Sequence, residues 1–502
     1  MTDERITVCF GGERITLARG SLLSDAISVE HPCGGHGKCG KCKVVATGDL
    51  SEITDTERAL LTEEEISRGV RLACLTHLLG DCDARLDSAC SGAVILDDGD
   101  MPTIEISPIF EKYGAAIDVG TTTVTARLYD RRGTRLSSTA RLNSQIEWGA
   151  DVISRIESAL AGNAERLTRS IRCDIDAALR ELAERAGISA DAIDAVVITG
   201  NTVMLTFLAG EDAEPFSHSP FAAGRLFGET VSSDDLGIRS LSGSTRVYFP
   251  PCVSAFVGAD LITAVLATEL YKKPSAMLAD IGTNGEMALV RDGKLTVCST
   301  AAGPAFEGAS ISYGMRSEIG AIDSITVSDG SPHVHVIGDG APVGICGSGL
   351  VDAVAYLLNE GLLDNSGHLE LENVTISGIV ALSQKDIRVI QLSKSAIYAG
   401  LTTLVKSTVG STDNISVLYV AGGFGNYLNR ENAAKIRLIP KELARIAVPI
   451  GNAALVGASM LLLNSQLAPL AEELARSAEL IELSANQLFR DSYVDGMFFA
   501  ET

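Results

Sequence analysis

One short pattern occurs twice in this chain of 502 residues. Ala115 to Val119 is apolar apart from Asp118, and it runs through Gly120-Thr121-Thr122-Thr123 into an alternating strand and a turn at Asp130 to Gly133. Leu278 to Ile281 carries Asp280 at the matching place. It runs through Gly282-Thr283-Asn284-Gly285-Glu286 into Met287 to Val290, then an Asp292-Gly293 hairpin signal and Lys294 to Cys298. Both copies read as an apolar strand, Asp-x-Gly-Thr and a hairpin. Two copies this far apart predict duplicated halves facing one another, not a short-period solenoid. From Tyr113 onward strands alternate with helices, which predicts an α/β architecture.

Composition narrows the function. Lys and Arg number 41 against 64 Asp and Glu, a net charge of -23. An acidic surface of that kind repels nucleic-acid backbones and anionic lipid headgroups. With 46% hydrophobic and 21% charged residues the chain is expected to fold, into about three domain-sized units. The N-terminus shows no basic start followed by an apolar core, so no secretory signal is read. The greasiest stretch, Ala453 to Ala471, is broken by Asn464, Ser465, Gln466 and Pro469 and reads as a buried helix and its end. The expected compartment is the cytoplasm.

Seven of the eleven cysteines (Cys9, Cys33, Cys39, Cys42, Cys74, Cys82 and Cys90) fall in the first 90 residues. In a reducing compartment such clustering points to a metal or cluster site before disulfides. Cys33, Cys39 and Cys42 stand in Cys-Gly-Gly-His-Gly-Lys-Cys-Gly-Lys-Cys, and Cys74 follows in Arg-Leu-Ala-Cys-Leu-Thr. A [2Fe-2S] cluster takes four thiolates, and the plant-type spacing differs only in its first gap. Gly34, Gly35, Gly37 and Gly40 permit positive φ and bring backbone N–H groups close to sulfur. A zinc site is the competing reading, but zinc sites usually show two close ligand pairs and only Cys39 and Cys42 form one here. Around these cysteines, Ile6 to Phe10 and Arg14 to Ala18 read as strands and Ser21 to Ile27 as a short helix. Thr54 to Glu57 and Thr62 to Glu65 read as capping boxes. The expected domains are 1–92, a linker over 93–112, and the two duplicated halves over 113–272 and 273–502.

An Asp at a strand end followed by Gly-Thr can hold hydrated Mg²⁺ while the turn reaches phosphate oxygens. Opposed copies can grip a triphosphate from two sides. Tyr419 to Gly425 is a further apolar strand ending in glycines, Gly422, Gly423 and Gly425, that would let a flat base or ribose approach. Val197 to Thr202 and Gly344 to Leu350 are glycine turns opening onto amphipathic stretches. The helix start at Gly347, Ser348 and Gly349 suits either an anion or close packing. The loop Pro304 to Gly308 carries one carboxylate, Glu307.

This ordered set resembles the phosphate 1, connect 1, phosphate 2, connect 2 and adenosine motifs of the acetate and sugar kinase, heat-shock chaperone and actin superfamily. Joined to the Cys33, Cys39, Cys42, Cys74 loop, it resembles the ATP-dependent reductive activators of corrinoid proteins. The resemblance implies an α+β ferredoxin-like (β-grasp) N-terminal domain and an α/β actin-like ATPase with two duplicated halves. It also implies a [2Fe-2S] cluster on the four cysteines, ATP and Mg²⁺, and one-electron reduction of a partner's inactive cob(II)amide to cob(I)amide. By motif, Asp118 and Asp280 would face Mg-ATP. Gly120, Thr121, Thr122, Gly282, Thr283, Asn284, Gly347 and Ser348 would serve the phosphates, and Gly422 and Gly423 the adenosine. Glu286 and Glu307 are the candidates for acid or base. The implied partners are the corrinoid protein of a methyltransferase system and an upstream low-potential electron donor, and a homodimer stays open. Alternatives from other classes are an ATP-driven donor to a radical dehydratase and a non-enzymatic redox sensor that binds nucleotide.

Overall fold

Alternation of side chains sets the first sheet. Its strands are β1 (Arg5–Phe10), β2 (Glu13–Ala18), β3 (Lys43–Leu50), β4 (Val70–Leu72) and β5 (Leu78–Leu86). Ile6 and Val8 of β1 and Val44 and Ala46 of β3 are buried at every second position, as in a strand with one face on a core. The order is β2-β1-β5-β3-β4, with β1 and β5 parallel and the other neighbours antiparallel. The computed structural model describes residues 5–10, 13–27, 37, 40, 42–86, 99, 101–328, 331–422 and 428–500. These form two compact units, one of Met1–Gly92 with Ser144–Asn163 and one of Ala93–Asn143 with Ala164–Thr502.

Both capping boxes form. The Thr54 hydroxyl accepts from Glu57 N at 3.1 Å while Glu57 accepts from Thr54 N at 2.9 Å, and Thr62 with Glu65 repeats the exchange. The short helix expected over 21–27 is a single 3-10 turn, Leu23–Asp25. Its amides are drawn away: Leu23 N and Ser24 N donate to Thr76 O and Ala73 O, beside Cys74.

In the second unit the duplication is explicit. β6 (Tyr113–Val119), β7 (Thr123–Asp130), β8 (Arg135–Leu142), β9 (Ile193–Gly200), β10 (Glu229–Ser232) and β11 (Arg246–Phe249) form a sheet ordered β10-β11-β9-β6-β7-β8. β12 (Ser275–Ile281), β13 (Asn284–Arg291) and β14 (Lys294–Ala301) begin the other large sheet. Two small sheets follow: β15 (Ala321–Ser328) with β16 (Ser331–Val336) and β17 (Gly344–Ile345), then β18 (Asn373–Ser377) with β19 (Val380–Ser383). β20 (Leu418–Ala421), β21 (Ala447–Gly451) and β22 (Glu479–Leu480) complete the second large sheet as β21-β20-β12-β13-β14-β22. In each large sheet an antiparallel meander (β6-β7-β8, β12-β13-β14) is joined at its first strand to two parallel strands (β9 and β11, β20 and β21). The turn at Asp292-Gly293 has positive φ at both residues, as a tight hairpin requires. Among the described residues no helix is long and apolar enough to cross a membrane.

The greasy stretch after residue 452 folds as expected. The helix Ala453–Leu463 is buried at every residue, which is what an all-apolar helix must do. It packs on the helix Ala259–Ala267, and Gly457 lets their backbones meet: an added Cβ would lie 1.9 Å from Thr263 O. The segment read as a linker docks here through its second part. Ser107 N donates to Leu463 O at 2.8 Å and Ile109 N to Leu462 O at 3.1 Å. Forcing the helices apart should cost about 2–3 kcal/mol or more, the upper range for overpacking. Gly457→Ala is therefore expected to lower the unfolding free energy of the second unit by that amount, whereas Gly224→Ala, with no atom near its added Cβ and no left-handed φ, should lower it far less. Equal urea midpoints for the two variants would contradict the close crossing.

Candidate functional site

The two Asp-x-Gly-Thr turns lie at the carboxyl ends of parallel strand pairs, β6 with β9 and β12 with β20, where open α/β sheets bind ligands. Each turn is tight. Gly120 N donates to Thr123 O at 2.9 Å and Gly282 N to Asn284 O at 3.2 Å. An added Cβ at Gly120 would stand 2.8 Å from Thr123 O, so the turn follows from glycine there. Both turns line one cleft of about 270 Å³ together with Asp260, Gly347, Gly422 and Asn452. Gly422 has φ +107°, and a Cβ there would strike Ile281 O at 2.3 Å. β20 can thus end flush against the end of β12.

Side chains tie the turns to their surroundings. Asn201 caps the helix Thr202–Ala209 and donates to the Thr121 hydroxyl at 3.1 Å. Asn452 caps the buried helix and donates Nδ2 to Asp118 at 2.8 Å and to Thr125 at 3.1 Å. Glu307 accepts from Thr283 N at 2.5 Å and from the Thr122 hydroxyl. Asn284 and Glu286 open β13 beside Asp280. Of the helix-start residues, Gly347 lines the cleft, while Ser348 is buried and donates to Asp323 O at 2.7 Å. Gly423 lies outside the described residues.

Electrostatically the cleft is crowded with carboxylates. Burial, then repulsion from Asp260, Asp118 and Glu307, pushes Asp280 up to about 8. Burial raises Asp118 to about 7, opposed by the Asn452 hydrogen bond and reinforced by Asp260. Glu286 is raised well above its ordinary value by burial and by Asp260, to which it is hydrogen-bonded. Two facing carboxyls bond only when one holds a proton, so Asp260 and Glu286 share one between them. Sequence reading missed Asp260. Its one signal was Gly258-Ala259-Asp260 opening an apolar helix, a pattern many helix starts share. A divalent cation is the natural counterpart of such a cleft, and Mg²⁺ commonly takes one or two carboxylates with phosphate and water.

In the first unit Cys42 and Cys74 are both buried, with their sulfurs 3.2 Å apart, beyond the 2.0 Å of a disulfide and close enough to share a metal. Cys33 and Cys39 lie outside the described residues. Gly37 and Gly40 have φ +64° and +65°, and a Cβ on Gly37 would stand 2.8 Å from Leu75. The Cys74 loop is pinned twice: Ala73 N donates to Cys42 O at 2.9 Å, and the buried carboxylate of Glu57 accepts from Arg71 Nε at 3.0 Å, Leu72 N at 3.2 Å and the Thr76 hydroxyl at 3.2 Å. Burial alone would raise Glu57; these bonds, with that from Thr54, hold it below its ordinary value. The described residues fit a cluster: two buried thiols side by side, and glycines at Gly37 and Gly40 whose positive φ suits a tight turn beside them.

The raised carboxyls generate a pH prediction. A cation facing Asp118 and Asp280 favours their ionised forms, so seating preformed Mg-ATP at pH 7 should release on the order of one proton. Affinity should rise from pH 6 to pH 8. Calorimetry in buffers of different ionisation enthalpy measures the release; none at pH 7, with pH-independent affinity, would contradict this electrostatic account.

Comparison with known proteins agrees with this geometry. Residues 6–79 match a 2Fe-2S iron-sulfur cluster binding domain, residues 113–273 the RACo middle region, and residues 275–502 the C-terminal domain of RACo, the ASKHA domain. The chain is 32% identical over 433 residues to the corrinoid activation enzyme RamQ of Eubacterium limosum, covering 79% of this chain and 73% of that one. It is 23% identical over 416 residues to the [Co(II) methylated amine-specific corrinoid protein] reductase of Methanosarcina barkeri, covering 76% of each. The solved structure of a reductive activator for a corrinoid, iron-sulfur protein superposes with a TM-score of 0.74 at 27% identity, over 98% of both chains. The fold is thus a ferredoxin-type domain followed by an actin-like ATPase, and its cofactors are a [2Fe-2S] cluster, ATP and Mg²⁺. With a relative this similar over most of its length, and three matching domains in order, the chain belongs to the RACo family of reductive activators of corrinoid proteins.

Proposed function

We propose that this chain uses ATP to drive one-electron reduction of a corrinoid protein from cob(II)amide to cob(I)amide, within a cytoplasmic methyltransferase system fed by an upstream low-potential electron donor. The observation that carries this reading is the union, in one chain, of the paired Cys42 and Cys74 sulfurs with a cleft built from two Asp-x-Gly-Thr turns. The names of the relatives agree, since each acts on a corrinoid protein.

The union has an energetic reason. Plant-type clusters sit near about -400 mV, and one-electron transfer to a centre of lower potential becomes tenfold less favourable for each ~59 mV. Work must enter from elsewhere. A cleft that binds nucleotide between two halves can change state through the cycle, and a partner that prefers one state feels that change.

The residues take these roles. Cys33, Cys39, Cys42 and Cys74 hold the cluster, and Glu57 fixes the loop of the fourth. When bound, the cluster supplies a single low-potential electron. Asp118 and Asp280 face hydrated Mg²⁺, with Asn452 orienting Asp118. Gly120, Thr121, Thr122, Gly282, Thr283 and Asn284 offer backbone and hydroxyl groups to the phosphates, and Gly422 and Gly423 give the adenosine a flat approach. Asp260 and Glu286, sharing a proton, add two further carboxyls to the cleft beside Asp280. The domains run over 1–92, 113–272 and 273–502.

The decisive assay mixes the reduced, cluster-loaded chain anaerobically with a cob(II)amide corrinoid protein in the presence of Mg-ATP, Mg-ADP or no nucleotide. Cob(I)amide is expected to accumulate with Mg-ATP alone, and equal yields in all three would contradict the coupling.

A further inference from the structure

Glu307 occupies ground that the phosphates also need. It ends the short turn Pro304–Glu307, and its two oxygens engage the two halves separately: one accepts from Thr283 N at 2.5 Å, the other from the Thr122 hydroxyl. The Thr122 and Thr283 hydroxyls are themselves 3.5 Å apart, so the carboxylate bridges the closest approach of the two phosphate turns. It also stands over Gly282, whose added Cβ would meet Glu307 Oε1 at 3.1 Å. A backbone N–H has a single proton to give, and a second anion in a carboxylate-lined cleft is repelled. Phosphate oxygens and the Glu307 carboxylate therefore exclude one another at Thr283 N.

The turn carrying Glu307 is held in place, with Ala305 and Phe306 buried and Gly303 N donating to Thr283 O at 2.9 Å, so it is the Glu307 side chain that must swing away, by rotation about its own bonds. Gly303 and Gly308 bracket the turn with φ +78° and +82°, a backbone region open to glycine that sets where the turn presents its carboxylate. Its far side is not idle. An added Cβ at Gly347 would lie 2.2 Å from Phe306 O, and one at Gly308 2.4 Å from Met315 O. The turn that carries Glu307 thus packs against the helix start at Gly347 and against Met315, both of which line the cleft.

We propose that Glu307 is an intramolecular competitor of phosphate, a positioning residue that clasps the two Asp-x-Gly-Thr turns and must be displaced for nucleotide to seat. The proposal rests on reading this cleft as the nucleotide site. A ligand to Mg²⁺ or a catalytic base at this position would behave in the opposite way, since its removal weakens binding or leaves it unchanged.

Calorimetric titration of the full chain with preformed Mg-ATP and Mg-ADP decides the matter for wild type, Glu307→Ala and Glu307→Gln. Loss of a charge-assisted competitor should tighten Mg-ATP binding by about tenfold in Glu307→Ala. Glu307→Gln, which keeps shape and loses charge, should tighten it less. If the alanine variant does not fold by circular dichroism, the glutamine variant carries the same sign. Tighter binding in the variants supports the proposal. Measurable binding by wild type with equal or weaker binding by the variants overturns it alone, and no binding by any of the three overturns the nucleotide reading and the proposal together.

Discussion

Carboxylates that repel one another in a shared cleft are the constraint around which the second unit is arranged. Asp118 and Asp280 come from equivalent places in the two duplicated halves, and Asp260 and Glu286 add a hydrogen-bonded pair between them. Burying such groups together is costly unless protons, hydrogen bonds or a cation offset the charge. The chain supplies the first two. Asn452 donates to Asp118, and it can do so because the helix it caps is buried through its full length beside the helix that begins at Ala259 and carries Asp260. Gly457, where the two helices touch, therefore bears on the chemistry although it lies outside the cleft. The third offset, a cation, is what ties the site to Mg-nucleotide.

The N-terminal unit obeys a different rule. Among its described cysteines, Cys74 sits in a turn between β4 and β5 and depends on what grips that turn. Glu57 performs that task from inside the unit: a single carboxylate takes the Arg71 guanidinium, the Leu72 amide and the Thr76 hydroxyl around Cys74. Removing one partner from such a buried cluster usually costs far more than the pair itself contributes.

Much of this architecture was legible in the sequence for identifiable reasons. The duplicated strands announced themselves because a continuous apolar run ends in the same Asp-x-Gly-Thr, and register then carries Asp118 and Asp280 to equivalent strand ends. The capping boxes at Thr54 and Thr62 were legible because their partners are three residues away. The buried helix was legible from its all-apolar face. What escaped notice depends on residues distant in sequence. Asp260 meets Glu286 only through the packing of two halves, and Asn452 reaches Asp118 from 334 positions away. Glu57 looked like a cap and also proved to be an anchor for the Cys74 loop. At Leu23 a single 3-10 turn stands where a longer helix was expected, its first amides held by Thr76 O and Ala73 O, contacts that no local pattern displays.

The central claim is that the cleft supplies work to an electron held elsewhere in the same chain. The most direct measurement compares wild type with Asp280→Asn after cluster reconstitution, recording the visible spectrum of the cluster and the ATP-dependent yield of cob(I)amide on a corrinoid protein. The account predicts an unchanged spectrum and unchanged chemical reducibility in the variant, with the yield falling to the level seen without nucleotide. An undiminished yield from Asp280→Asn would contradict it.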